Sequence, residues 1–139
     1  MQRTEMWLYV DGASRGNPGH AGAGALICDH DHTPLFRLKR YLGKTTNNVA
    51  EYKALLLGLR KVVTLGVKDL HVRSDSELLV RQLAGIYKVR NEALLPLYFS
   101  ALKLLQQMDH YDVVHIRREK NEEADRLANL AIDSHLQRV

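Results

Sequence analysis

A single cysteine in the whole chain, Cys28, excludes an internal disulfide. Its place in the apolar run Ala23-Gly24-Ala25-Leu26-Ile27-Cys28 makes it a buried small hydrophobe rather than a reactive thiol. No apolar run approaches the roughly 20 residues of a bilayer span, so no membrane association is expected. Met1-Gln2-Arg3-Thr4-Glu5 offers no apolar signal core, and a reducing, cytoplasmic location is the expectation. There is no internal repeat, no low-complexity tract, no phosphate loop of the nucleotide-hydrolase kind and no Ser or Cys nucleophile motif. Solenoids, P-loop enzymes and covalent hydrolases are thereby set aside. What is left is one globular domain over 1–139, long enough to bury about two thirds of its unfolded surface without staples. The formal charge of +4 permits a polyanionic partner without demonstrating one.

Taken in order, strand-forming residues 5–11, with Trp7, Tyr9 and Val10, run into an acid and the glycine-rich turn Gly12-Ala13-Ser14-Arg15-Gly16-Asn17-Pro18-Gly19. Ala21 to Asp29 reads as a second strand and Leu35 to Leu42 as a third, joined by the tight tract Asp29-His30-Asp31-His32-Thr33-Pro34. Capping residues Thr45-Thr46-Asn47-Asn48 then precede a helix from Ala50 through Val63, with Gly66 as its stop. Asp69 to Ser74 is a short strand, and Asp75-Ser76-Glu77 opens a helix through Leu83. Leu94 to Met108 carries helical periodicity, Pro96 fitting only its first turn. Asp112 to Arg117 is a fifth strand and Asn121 to His135 a last helix. Three strands followed by alternating helices and strands specify an α/β fold with a mixed sheet and helices on its faces.

Four acids occupy comparable places: Asp11 ending the first strand, Glu51 in the first turn of a helix, Asp75 at a strand-to-helix junction and Asp125 near the start of the last helix. Each has an ordinary explanation. Asn48-x-x-Glu51 and Ser74-x-x-Glu77 can serve as capping boxes, Asp75 as a helix cap, and Asp125 as an acid beside a helix's positive end. Jointly they converge on one end of the sheet if the first and fourth strands are neighbours. Clustered carboxylates repel unless cations hold them, and two Mg²⁺-like ions suit hydrolysis of a phosphodiester.

Asp11-Gly12-Ala13-Ser14-Arg15-Gly16-Asn17-Pro18-Gly19, Thr45-Thr46-Asn47-Asn48-Val49-Ala50-Glu51, Ser74-Asp75-Ser76 and Asn121-Glu122-Glu123-Ala124-Asp125-Arg126-Leu127-Ala128 resemble, in order and spacing, the four blocks of the type 1 ribonuclease H family. The resemblance covers nearly the whole chain. It implies a ribonuclease H-like fold, a five-stranded mixed sheet of three antiparallel and then parallel strands flanked by helices. The implied activity is a metal-dependent endonuclease that hydrolyses the RNA strand of RNA–DNA hybrids in replication and repair, leaving 5′-phosphate and 3′-hydroxyl ends. It also implies two Mg²⁺ ions, with Mn²⁺ as the alternative, on Asp11, Glu51, Asp75 and Asp125, and a monomer whose partner is the hybrid duplex. Gly12, Ser14, Asn17, Asn47 and Asn48 match positions that read minor-groove edges and ribose 2′-hydroxyls. Lys44, Thr46 and Asn91 match a pocket for a DNA-strand phosphate, and Asn91 fits a helix cap or turn equally well.

Two departures stand out. Some members insert a basic protrusion after the second helix, whereas here only Ala84 to Glu92 lies between helices, with Lys88 and Arg90 as its cations. Many members carry a histidine before the last acid; none lies between Ile116 and Asp125, and Arg117, Arg118 and Glu119 fill that loop. Arg118 is assigned leaving-group or product-release assistance, with a solvated basic turn as the competing explanation. His30-x-His32 reads as a solvated hairpin tip rather than a metal site, and His71 and His115 as packed or edge residues. The rival functions are a catalytically weak hybrid-binding domain and an integrase-like transferase. Retention of all four acids weighs against the first, and the Gly-rich turn with Asn47-Asn48 against the second.

Overall fold

A computed structural model describes residues 5–137; the reading of Met1 to Thr4 as lacking a signal core lies outside them. Strands β1 (Glu5–Gly16), β2 (Gly19–Cys28) and β3 (Pro34–Thr45) form an antiparallel meander. Helix α1 (Asn47–Thr64), β4 (Asp69–Ser74), α2 (Glu77–Leu83), α3 (Leu95–Leu105), β5 (His110–His115), a 3-10 turn over Arg118–Lys120 and α4 (Glu122–Leu136) follow. The sheet order is β3-β2-β1-β4-β5, with β4 parallel to β1 and β5 parallel to β4. Asp11 therefore does not end its strand. Pairing with β4 stops at Val10 opposite Ser74, while β1 continues against β2 to Gly16. The acid stands where the parallel half of the sheet gives out, a position fixed by the shorter neighbour rather than by the glycine turn.

Side-chain alternation divides β1 between two helices. Leu8 and Val10 are fully buried toward α1, whose Gly58 sits against Leu8. Asp11 pairs with Gly24, on the side of α4. A Cβ on Gly24 would lie 2.2 Å from the Ala124 carbonyl oxygen and 2.7 Å from the Ala128 nitrogen, so the absent side chain lets α4 lie directly on β2. That contact brings the first turn of α4 beside Asp11. Leu55, Leu59 and Val62 of α1 join Ile27, Leu70, Val72 and Leu105 in the core.

The helix caps differ from the expected boxes. Thr46 caps α1, its Oγ1 accepting from the Val49 amide at 3.3 Å, and Ser76 caps α2 by accepting from Leu79 at 3.2 Å. Asn48 is already helical, which moves Glu51 from the first turn to the second. Ser74 Oγ accepts from the Ser76 amide and fixes the turn carrying Asp75. At the β2–β3 hairpin Asp29 Oδ1 accepts from the Asp31 and Thr33 amides, both at 2.9 Å, so that oxygen is committed to the turn. Asp29, His30 and Asp31 offer ligand atoms close together there, but His30 and Asp31 are exposed.

Candidate functional site

The starts of α1, α2 and α4 meet β1 at a polar cleft of about 250 Å³. Its walls include Asp11, Gly12, Ser14, Asn47, Glu51, Asp75, Arg118 and Asp125, with Ala13 and Ser76. Asp11, Glu51 and Asp75 each present a carboxylate oxygen within 4.8 Å of the other two. Asp11 and Glu51 are only 6% and 4% exposed, the chief buried acids among the described residues. Gly12 permits this proximity: a Cβ there would lie 2.3 Å from the Ala50 carbonyl carbon and 2.4 Å from the Glu51 nitrogen. Any side chain at Gly12 would push the α1 terminus, and Glu51 with it, off β1.

Electrostatics follow from burial. Burial first, then the charges of Glu51 and Asp75, raises the Asp11 carboxyl far above the usual range. Burial likewise raises Glu51, against the lowering effect of its hydrogen bonds to Asp11 and the Gly12 amide. Without a cation, full ionisation of the cluster is therefore disfavoured. Glu51 Oε2 is buried and has no hydrogen-bond partner, an unusual state for a carboxylate oxygen.

Asp125 is steered through a chain of contacts absent from the sequence reading. Asn129 Nδ2 donates to Asp125 Oδ1 at 3.2 Å and to its carbonyl at 3.0 Å. Arg15 Nη2 in turn donates to Asn129 Oδ1 at 3.2 Å, and its Nη1 pairs with Asp133 at 2.7 Å. The Asp125-x-x-x-Asn129 spacing on one helix face was available as a signal; the reach of Arg15 from β1 to α4 was not. Asn121 is 2% exposed and donates from Nδ2 to the Val10 carbonyl at 2.8 Å, tying the start of α4 to the residue before Asp11.

The remaining expected residues surround the cleft unevenly. The single Ser14 hydroxyl proton has the Gly16 carbonyl and, at 2.9 Å, the Thr45 carbonyl as its acceptors, which leaves the Oγ lone pairs for a donor. Asn17 Oδ1 accepts from the Asn47 amide at 3.0 Å, fastening the β1–β2 hairpin to α1 while its NH₂ has no partner among the described residues. Thr46 serves as the α1 cap; Lys44, Asn47 and Asn48 are exposed. Asn91 Oδ1 accepts from the Ala93 amide at 2.8 Å in a turn before α3, away from the cleft lining. Arg118 Nε lies 3.8 Å from Asp75 Oδ2 with its side chain 89% exposed. That long, solvated pair contributes little to stability.

A family profile described as reverse transcriptase-like matches residues 9–131. Over 131 residues the chain is 45% identical to the bifunctional protein Rv2228c of Mycobacterium tuberculosis, covering 94% of this chain and 36% of that protein. Ribonuclease HI of Halobacterium salinarum is 38% identical over 90% of the chain and 63% of its own length. A ribonuclease H of Coxiella burnetii is 31% identical over 96% and 93%. The chain belongs to the type 1 ribonuclease H family. The N-terminal RNase H domain of Rv2228c superposes with a TM-score of 0.93 at 43% identity, covering 96% of this chain and 97% of that one. LC11-RNase H1, in a structure with an RNA/DNA hybrid, superposes with a TM-score of 0.89 at 41% identity, over 94% and 99%. The chain spans about a third of the length of Rv2228c and under two thirds of the Halobacterium protein.

Ribonuclease H proteins are associated with divalent metal, and the donor set here fits one. Three hard carboxylates converge, one oxygen among them is buried without a partner, and the raised carboxyls show how poorly the cluster tolerates charge without a cation. Asp11, Glu51 and Asp75 are the residues able to hold it, with Asp125 lining the same cleft in hydrogen-bond contact with Asp11.

Proposed function

We propose that this chain forms one catalytic domain over 1–139 that hydrolyses the RNA strand of RNA–DNA hybrids endonucleolytically, leaving 5′-phosphate and 3′-hydroxyl ends. The observation that carries this reading is the convergence of Asp11, Glu51 and Asp75 around an unpartnered Glu51 oxygen, in a cleft also lined by Gly12, Ser14 and Asn47. Two Mg²⁺ ions, or Mn²⁺ in their place, are assigned to Asp11, Glu51, Asp75 and Asp125. When bound, they neutralise the cluster and supply Lewis acidity for in-line displacement at phosphorus.

The chain's own residues do the rest. Glu51 and Asp75 face the cleft as acceptors that orient the attacking water and take up its proton as its oxygen bonds to phosphorus. The bond to the ribose 3′ oxygen breaks, and that oxygen takes a proton from solvent water as it leaves. Arg118, solvated beside Asp75, places a cation where negative charge builds on the departing strand. Gly12 brings backbone close to the duplex. Ser14, Asn17, Asn47 and Asn48 present free lone pairs and amide groups that suit a 2′-hydroxyl, which both donates and accepts. Lys44, Thr46 and Asn91 are assigned to a phosphate of the DNA strand. A monomer in the cytoplasm completes the reading, supported by a lone buried thiol.

The test is an end-labelled hybrid incubated with and without Mg²⁺ or Mn²⁺, beside Asp75→Asn and matched DNA and RNA duplexes. Metal-dependent cutting of the hybrid's RNA alone, abolished in the variant, is expected. Folded protein that binds hybrid tightly and cuts nothing would transfer the reading to a binding domain.

A further inference from the structure

The charge of this protein is unevenly placed. Between Asp31 and Asp69 the chain has eight lysines and arginines and one acid, Glu51, which is buried in the cleft. The net positive charge of the molecule is thus carried by β3, α1 and their flanks, the rest of the chain having more acids than lysines and arginines. These two elements border a groove of about 310 Å³, with Arg40 on the strand wall and Lys53 and Arg60 on the helix wall. Leu56, Leu57 and Leu97 line it and no carboxylate does. Among the described residues none of the three cations is held in an ion pair.

The spacing is suited to a strand rather than a compact anion. Lys53 and Arg60 are seven residues apart on one helix face, about 10.5 Å along the axis, with Leu56 and Leu57 between them. An apolar floor with cations repeated along it is the pattern that holds single-stranded nucleic acid, with phosphates on the charges and base faces on the hydrocarbon. One end of the groove lies toward Lys44 and Thr46, which precede α1, and Arg60 is about 20 Å farther along that helix.

We propose that the groove between β3 and α1 is a docking track for single-stranded DNA, taking the DNA strand where it runs on past the end of an RNA–DNA hybrid. The source of that strand rests on the nuclease reading above; the groove itself does not. Arg40, Lys53 and Arg60 grip the extension, so that the domain prefers hybrids flanked by unpaired DNA over blunt ones.

The test measures binding in EDTA, by fluorescence anisotropy, of a blunt hybrid and of the same hybrid with ten unpaired deoxythymidines on either DNA end. It uses the wild-type chain and the triple variant Arg40→Gln, Lys53→Gln, Arg60→Gln, with free oligodeoxythymidine as a separate ligand. The wild-type chain is expected to gain about tenfold from one of the two extensions. Its log–log salt dependence should steepen by about 2, the value for three single-strand phosphates. The variant, with an unchanged melting temperature and blunt-hybrid cleavage, should lose that gain and the oligodeoxythymidine binding. No gain from either extension, or a gain that survives in the variant, overturns the proposal. Failure to cut any hybrid would remove the nuclease reading alone, because the free oligonucleotide still reports on the groove.

Discussion

Replacing Asp11 by asparagine removes one charge from a cluster of three carboxylates whose oxygens lie within 4.8 Å of one another, with Asp11 and Glu51 almost wholly buried. Two unit charges at that distance repel by about 3.5 kcal/mol at an effective dielectric near 20. Because burial and the charges of Glu51 and Asp75 raise the Asp11 carboxyl, the folded, metal-free chain binds a proton that the unfolded chain releases. The stability tied to that proton is complete below the ordinary carboxylate range near pH 4, and it is lost as pH rises toward the raised value. At pH 8 in EDTA, Asp11→Asn should therefore be more stable than the wild-type chain by about 2 kcal/mol, or roughly 6–10 °C for a domain of this size. Added Mg²⁺ or Mn²⁺ reverses the order. The wild-type chain gains about 2.7 kcal/mol at a hundredfold excess over its dissociation constant, whereas the variant gains little. Circular-dichroism melts from pH 4 to pH 9, with and without metal, read both effects. A variant no more stable than wild type at pH 8, or one with an undiminished metal-induced rise, would refute the reasoning.

Gly12→Ala places a methyl carbon 2.3 Å from the Ala50 backbone; a loss of about 2–3 kcal/mol in urea denaturation is expected, with hybrid cleavage falling as Glu51 retreats. An unchanged midpoint would mean that the α1 terminus is not held against β1. Asn129→Ala frees the Asp125 carboxylate from its amide and from Arg15, and should weaken metal affinity by about 10- to 100-fold in titration calorimetry with little change in melting temperature. Equal affinity would remove Asn129 from the site. On the open sheet face, burial would lower His71, but its hydrogen bonds to Glu5 at 2.8 Å and Asp112 at 2.6 Å outweigh that and raise it. Its contribution is present below the ordinary histidine range and is lost as pH rises through the raised value, so His71→Gln should flatten the melting temperature between pH 6 and pH 8.

The sequence exposes its acids better than their surroundings. Asp75 and Asp125 could be placed because each sits beside a capping residue or in the first turn of a helix, and such boundaries have local signatures; Asp11 and Glu51 were found beside a glycine run and a capping tract, although β1 continues past the one and α1 begins a turn before the other. The caps themselves were misplaced: Thr46 and Asn48 are equally good capping types, and only the docking of α1 against Gly12 decides that Thr46 takes the role. The length of β1 was hidden for a similar reason. Its glycines and Pro18 read as a turn, yet pairing with β2 carries the strand through to Gly16. Arg15 and Asn121 escaped because their partners lie between 111 and 114 residues away, whereas Asn129 had a local signal in its four-residue spacing from Asp125 that was not used. Long-range hydrogen bonds leave no period in a sequence.

Three helices begin at the cleft: Asn47 of α1, the Ser76 cap of α2 and Asp125 in the first turn of α4 all line it. Their dipoles favour negative charge by about 0.3–1 kcal/mol each. Summed, these contributions are comparable to the repulsion of one carboxylate pair, and the cluster contains three such pairs. The fold alone therefore relieves only part of the repulsion. Without a cation the remainder is met by protonation, as the raised Asp11 and Glu51 carboxyls show. The same geometry makes the cleft a strong acceptor for divalent charge: a bound cation would release those protons and restore the anionic carboxylates that the proposed hydrolysis uses to orient water. Metal uptake by this chain should accordingly expel protons near neutral pH, which a comparison of calorimetric heats in buffers of different ionisation enthalpy would detect. Equal heats across buffers would mean that the cluster is already ionised and that its burial is relieved in some other way.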